Sequence, residues 1–121
     1  MNAFLIQFGR IWTPSPWRLE LGRRGRMGQC YGNAFLLAQR NPSLLYVEGV
    51  AGEYRLDHAW CIDAAGLVLD PTWRETEGQY FGVPLLLPVV ARWILDVNGF
   101  GPFLDLATSE AIDHRAQGRD R

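Results

Sequence analysis

The stretch that decides the fold is Leu56-Asp57-His58-Ala59-Trp60-Cys61-Ile62, followed by Asp63-Ala64-Ala65-Gly66 and Leu67-Val68-Leu69-Asp70. Residues 56–62 alternate well enough for a strand, and 67–70 make a short second one. Successive side chains on a strand point to opposite faces. Leu56, His58, Trp60 and Ile62 therefore share one face, and Cys61 points to the other. A three-residue loop with Gly66 in the left-handed position pairs Asp63 with Leu67. Trp60 then lies opposite Asp70, and His58 is its diagonal neighbour at about 7 Å, within reach of a His–Asp hydrogen bond. A two-residue loop would send Asp70 to the wrong face. A chemical role for the pair therefore demands the odd-numbered loop.

Upstream, Cys30 to Arg40 reads as a helix, with Ala34, Phe35, Leu37 and Ala38 at helical spacing and Asn41-Pro42 as its stop. Leu44 to Val50 is rich in strand formers and closes at Gly49 and Gly52. Downstream, Tyr80 to Val83 is a candidate fourth strand. Pro88 to Asn98 is a second helix, with Val89, Val90, Trp93, Ile94 and Val97 as its buried stripe and Asn98-Gly99 as its end. A short third helix is expected at about Ser109 to Ala116. Helix, antiparallel strands, then helices is an α+β pattern. The expectation is a helix bearing Cys30 packed on a small antiparallel sheet bearing His58 and Asp70, with additional C-terminal helices. The chain divides into an irregular N-terminal segment (1–27), a core (28–107) and a C-terminal helix with a charged tail (108–121), all within one domain spanning 1–121.

Composition agrees with one soluble domain. The chain has 121 residues, 48% hydrophobic and 21% charged, close to globular averages and unlike a disordered segment. The net charge of −1 excludes a generally basic nucleic-acid binder. The longest apolar run, Val83 to Val97, is broken by Pro84, Pro88, Arg92 and Asp96 and is too short to span a bilayer. Met1 to Arg10 lacks a signal-peptide pattern, so a cytoplasmic protein with free thiols is expected. No membrane partner, specific nucleic-acid partner, cofactor or metal is expected. A zinc site fails on parity, because His58 and Cys61 face opposite ways and no C-x-x-C pair is present; a Cys30–Cys61 disulfide has the same difficulty.

Cys30, His58 and Asp70 form an ordered set whose residue types suit one chemistry. A thiol becomes a good nucleophile as thiolate, and a helix start favours the anion. A His beside it can take the thiol proton and return it to a leaving group. A carboxylate on the far ring nitrogen holds the tautomer. Each residue also has a plainer reading: Cys30 as a small core residue, His58 as a structural histidine, Asp70 as a turn starter before Pro71.

Cys30 opening a helix, His58-Ala59-Trp60 in a strand and Asp70-Pro71-Thr72-Trp73 ending the next resemble the transglutaminase-like branch of the papain-like cysteine enzymes. The resemblance covers residues 28–73. It implies Cys30 as nucleophile, His58 as base and acid, Asp70 as orienter, and acyl transfer through a thioester. The family often carries an oxyanion-hole side chain upstream of the Cys. Gln29 is adjacent here, and Trp17 is the other upstream candidate. The expected function is therefore a cysteine-dependent hydrolase or acyltransferase acting on an amide or peptide bond of a peptide or protein substrate. The alternative is a non-catalytic module that keeps the fold and holds a peptide or partner. Neither the substrate nor the oligomeric state is legible.

Further site candidates are Tyr31, Asn33, Trp60 and Trp73. Core packing accounts for the aromatics; a cleft wall is the sharper reading. Asn33, one turn beyond Cys30, can tie down the His–Asp hairpin or donate to a substrate. Arg18, Arg23, Arg24 and Arg26 crowd the segment before Cys30. They read as a solvated loop, as an electropositive rim that tunes the thiol, or as a receiver for an acidic substrate.

Overall fold

A computed structural model describes residues 1–74 and 78–116. Five strands form a mixed sheet that closes into a small barrel: β1 (Arg10–Pro14), β2 (Leu45–Gly52), β3 (Leu56–Ile62), β4 (Leu67–Leu69) and β5 (Gln79–Leu85). The order around the barrel is β1-β4-β3-β2-β5. Helices α1 (Ala3–Phe8), α2 (Cys30–Arg40) and α3 (Leu87–Val97) pack outside it. The α+β class holds. The sheet is not wholly antiparallel as expected, because β1 runs parallel to β4 with Thr13 opposite Leu67.

The β3–β4 hairpin sets the geometry of the site. Cys61 pairs with Leu69 and Ile62 with Val68. The Asp63 N–H donates to Leu67 O at 3.1 Å and the Gly66 N–H to Asp63 O at 2.9 Å. Gly66 has φ +82, a conformation that costs glycine little. The Asp63 carboxylate accepts from the Ala65 and Leu67 N–H groups and fixes the turn locally. This is the odd-numbered loop, so His58 and Asp70 share a face.

Strand alternation divides the core in two. Leu45, Val47, Ala51, Trp60, Ile62, Val68 and Tyr80 fill the barrel interior together with Trp12. Tyr46, Ala59, Cys61, Leu69, Val83 and Leu85 face outward beneath the helices. Trp60 is accommodated because Gly82 across the barrel has no side chain; a Cβ there would come within 2.7 Å of the indole.

Two terminal expectations are corrected. Residues 1–27 are not irregular, since they hold α1, β1 and a 3₁₀ turn at Leu19–Leu21. Six residues are too few for α1 to show a helical period, and the Asn2 side chain caps it by accepting from the Leu5 N–H. Pro14 closes β1, where a missing N–H costs little. Trp12 anchors the strand inside the barrel and donates from Nε1 to Gly82 O at 3.0 Å.

The helix expected over 109–116 is only a 3₁₀ turn at Ser109–Ala111. Directly beyond it Ile112 is extended and bridged to Leu85, and the Asp113 N–H donates to Pro84 O. Ala111 and Asp113 are buried and Ala116 enters the barrel core, so burial over 111–113 follows the period of a strand. The charged tail from 117 lies outside the described residues. α3 matches its expected span within a residue and ends at Asn98 in the left-handed conformation, but Val97 of its expected stripe is exposed.

Candidate active site

Cys30 is the first residue of α2 and is partly exposed. Gln29 precedes it without capping the helix through its side chain. First-turn N–H groups have no carbonyl within their own helix. The Asn33 N–H reaches Gln29 O at 2.9 Å, so the N–H groups of Cys30, Tyr31 and Gly32 precede the first bond of the helix. α2 lies against the outer face of β3, where the Cys61 thiol donates to Ala34 O at 3.2 Å. Cys61 is fully buried, and burial pushes its thiol pKa far up. Both cysteines are free.

His58 and Asp70 close one end of the barrel interior. His58 Nε2 lies 2.8 Å from Asp70 Oδ2. Asp70 Oδ2 also accepts from the Tyr80 hydroxyl at 2.7 Å, while Oδ1 accepts from the Thr72 and Trp73 N–H groups at 2.9 and 3.0 Å. Burial disfavours charge on Asp70, but these donors outweigh it and hold the carboxyl below its ordinary range. Burial likewise disfavours the imidazolium of His58, but Asp70 and then the Cys30 side chain outweigh it and raise its pKa.

The other ring nitrogen, Nδ1, is buried and has no hydrogen-bond partner among the described residues. With Nε2 taken by Asp70, Nδ1 is the nitrogen left to receive a thiol proton. Trp73 lies flat on the imidazole, with centroids 3.6 Å apart and planes 12° from parallel, and so fixes its rotation.

The remaining candidates separate by place. Trp60 lies wholly inside the barrel, edge-on to Tyr80, and so forms no wall of an open cleft. Asn33 donates from Nδ2 to Arg26 O and to Thr72 Oγ1, both at 2.9 Å, and ties α2 to the loop behind Asp70. Gln29 is exposed and precedes Cys30 directly in the chain. Tyr31 lines a cavity of about 340 Å³ with Glu48 and Asp57. Burial and the nearby Glu48 raise the pKa of its phenol. Among the described residues no group of three or more His, Cys, Asp or Glu side chains is placed to hold a metal ion, and no helix is long and apolar enough to cross a membrane.

Tyr80, Thr72 and Glu48 were not singled out from sequence. Tyr80 had one available signal, its place on the inward face of a strand. Its phenol is one of four donors to the Asp70 carboxylate among the described residues. Tyr80→Phe should therefore cost about 1 kcal/mol of stability and slow alkylation of Cys30 only a few-fold, as read by urea unfolding and iodoacetamide kinetics. An unchanged unfolding midpoint would show that the phenol bond contributes nothing.

Comparison with protein-family models, with curated proteins and with solved structures gave no match to this chain.

Proposed function

We propose that this chain is a cysteine-dependent enzyme of the transglutaminase-like kind, acting on an amide or peptide bond through a thioester. The observation that carries the reading is His58. One ring nitrogen is held by a buried carboxylate, the other is buried without a hydrogen-bond partner among the described residues, and Cys30 opens the helix that packs on the strand bearing His58.

Each step follows from these positions. The Cys30 thiol gives its proton to His58 Nδ1, and the sulfur attacks the substrate carbonyl carbon. The carbonyl π-electrons move to oxygen, and the donors assigned to it are the first-turn N–H groups of α2 and the Gln29 amide, which adjoin Cys30 in the chain. The oxyanion collapses, the C–N bond breaks, and the departing amine takes the proton from Nδ1. A thioester on Cys30 remains. Water that loses a proton to Nδ1 attacks this thioester and releases a carboxylic acid, and the thiol is restored. An amine in place of water yields a new amide. Throughout, Asp70 accepts from Nε2–H and offsets the charge that His58 acquires.

Thiol reactivity tests the reading without a known substrate. Iodoacetamide near pH 7 should label Cys30 and spare the buried Cys61. His58→Ala should slow labelling at least about tenfold. Slow labelling of Cys30 that ignores His58→Ala would favour the binding-module alternative.

A further inference from the structure

Two segments distant in sequence bring four arginines to one groove. Arg23, Arg24 and Arg26 come from the loop before α2, and Arg74 comes from beyond the Asp70 turn. With Trp17 and Leu19 they line a cavity of about 860 Å³. The loop is held there: the Gly25 N–H donates to Pro71 O at 2.7 Å and Arg24 Nε to Asp70 O at 3.1 Å. The Arg24 guanidinium sits over the Trp17 ring, 5.0 Å from its centroid. Asn33 holds the Arg26 carbonyl from α2. The groove therefore adjoins both the carboxylate turn and the helix that begins at Cys30.

Arg18, Arg92 and Arg115 each pair with an aspartate. Arg23, Arg26 and Arg74 are exposed, and none is paired with a carboxylate among the described residues. Among the described residues the groove therefore gathers like charges, an arrangement that favours an anionic occupant.

We infer that this groove binds a run of acidic side chains on a polypeptide and so presents an adjoining amide bond to Cys30. That the polypeptide is a substrate rests on the enzyme reading above; the groove's preference for carboxylates does not. Guanidinium groups meet carboxylates in paired hydrogen bonds, and Trp17 with Leu19 supplies apolar cover for side-chain stems. Nucleic acid fits less well. The chain's net charge is −1, and Trp17, the aromatic lining this groove, already carries Arg24 on its ring. No free stacking platform is offered to a base there.

The test uses the intact chain with fluorescently labelled oligoglutamate, oligoglutamine and oligothymidylate, read by anisotropy. Oligoglutamate should bind at about 0.05 M salt and weaken strongly by about 0.3 M. The combined Arg23→Gln, Arg26→Gln and Arg74→Gln variant should bind it about tenfold more weakly, while the matching Arg→Lys variant retains most of the binding. Circular dichroism shows that each variant is folded. Equal binding of oligoglutamate and oligoglutamine, a triple variant that binds like the parent, or tighter binding of oligothymidylate overturns the inference. Iodoacetamide labelling of the same samples separates the two claims. Fast labelling of Cys30 without oligoglutamate binding overturns the groove alone. Slow labelling with salt-sensitive, Arg-dependent oligoglutamate binding overturns the enzyme reading and upholds the groove.

Discussion

Asp70→Asn should lower the reactivity of Cys30 by about 10³-fold, far more than the loss of one charge at this distance would suggest. The reason lies in which oxygen is replaced. Asp70 Oδ1 accepts from the Thr72 and Trp73 N–H groups, so the asparagine oxygen must take that position. Its NH₂ group then occupies the place of Oδ2, facing His58 Nε2 and the Tyr80 hydroxyl. A donor facing Nε2 forces the tautomer with the proton on Nδ1. The nitrogen that must accept the thiol proton already carries one. Iodoacetamide kinetics on Cys30, corrected for the folded fraction, reads the effect, and a rate within about twofold of the parent would mean that the carboxylate does not set the tautomer.

The same pair gives a pH signature. The raised pKa of His58 contributes stability that is present below its ordinary 6.5 and is lost as pH rises through the folded value. The lowered pKa of Asp70 contributes stability that is present above its ordinary 3.8 and is lost as pH falls through the folded value. The pair therefore stabilises the fold most in the mildly acidic window between the two.

What could be read from sequence was local. Gly66 and the alternation on either side determine one hairpin, and that hairpin alone puts His58 and Asp70 on one face. The helix from Cys30 to Arg40 shows its period over three turns and ends at Asn41-Pro42. Closure of the barrel could not be read, because β1 pairs with β4 and β5 across more than fifty residues, and Pro14 and Pro16 mask the strand. The segment after Ser109 has helix-forming residues, yet it takes extended contacts with β5 that nothing local announces. Tyr80 reaches Asp70, and Arg74 joins Arg23 and Arg26, only because the sheet has closed. Its place two residues from His58 makes Trp60 a candidate wall of an open site, whereas closure places the inward face of β3 inside a barrel.

Glu48→Gln should stabilise the protein at neutral pH, although it replaces a hydrogen-bonded carboxyl. Glu48 is 1% exposed in the middle of β2. Its Oε2 accepts from the Tyr46 hydroxyl at 2.5 Å and its Oε1 from the Phe103 N–H at 2.7 Å. Burial raises its pKa from 4.5 to about 6, and these donors only partly oppose the rise. A carboxyl with a raised folded pKa contributes stability below its unfolded value and loses it as pH climbs through the folded one. The shift corresponds to about 2 kcal/mol lost between mildly acidic and neutral pH. Glutamine has the shape of the protonated carboxyl and can make the same two contacts: its oxygen accepts from Phe103, and its NH₂ faces a Tyr46 oxygen turned to accept. At about pH 4 the variant and the parent should therefore be nearly equal in stability. Toward about pH 8 the variant should become more stable by about 2 kcal/mol, because it has no proton to lose. Taking the difference between the two proteins cancels the titrations of His58 and Asp70, which both retain. Urea unfolding across this range measures it directly. A difference that does not grow with pH, or a variant weaker than the parent at the alkaline end, would show that Glu48 is not held in the folded chain as a costly charge.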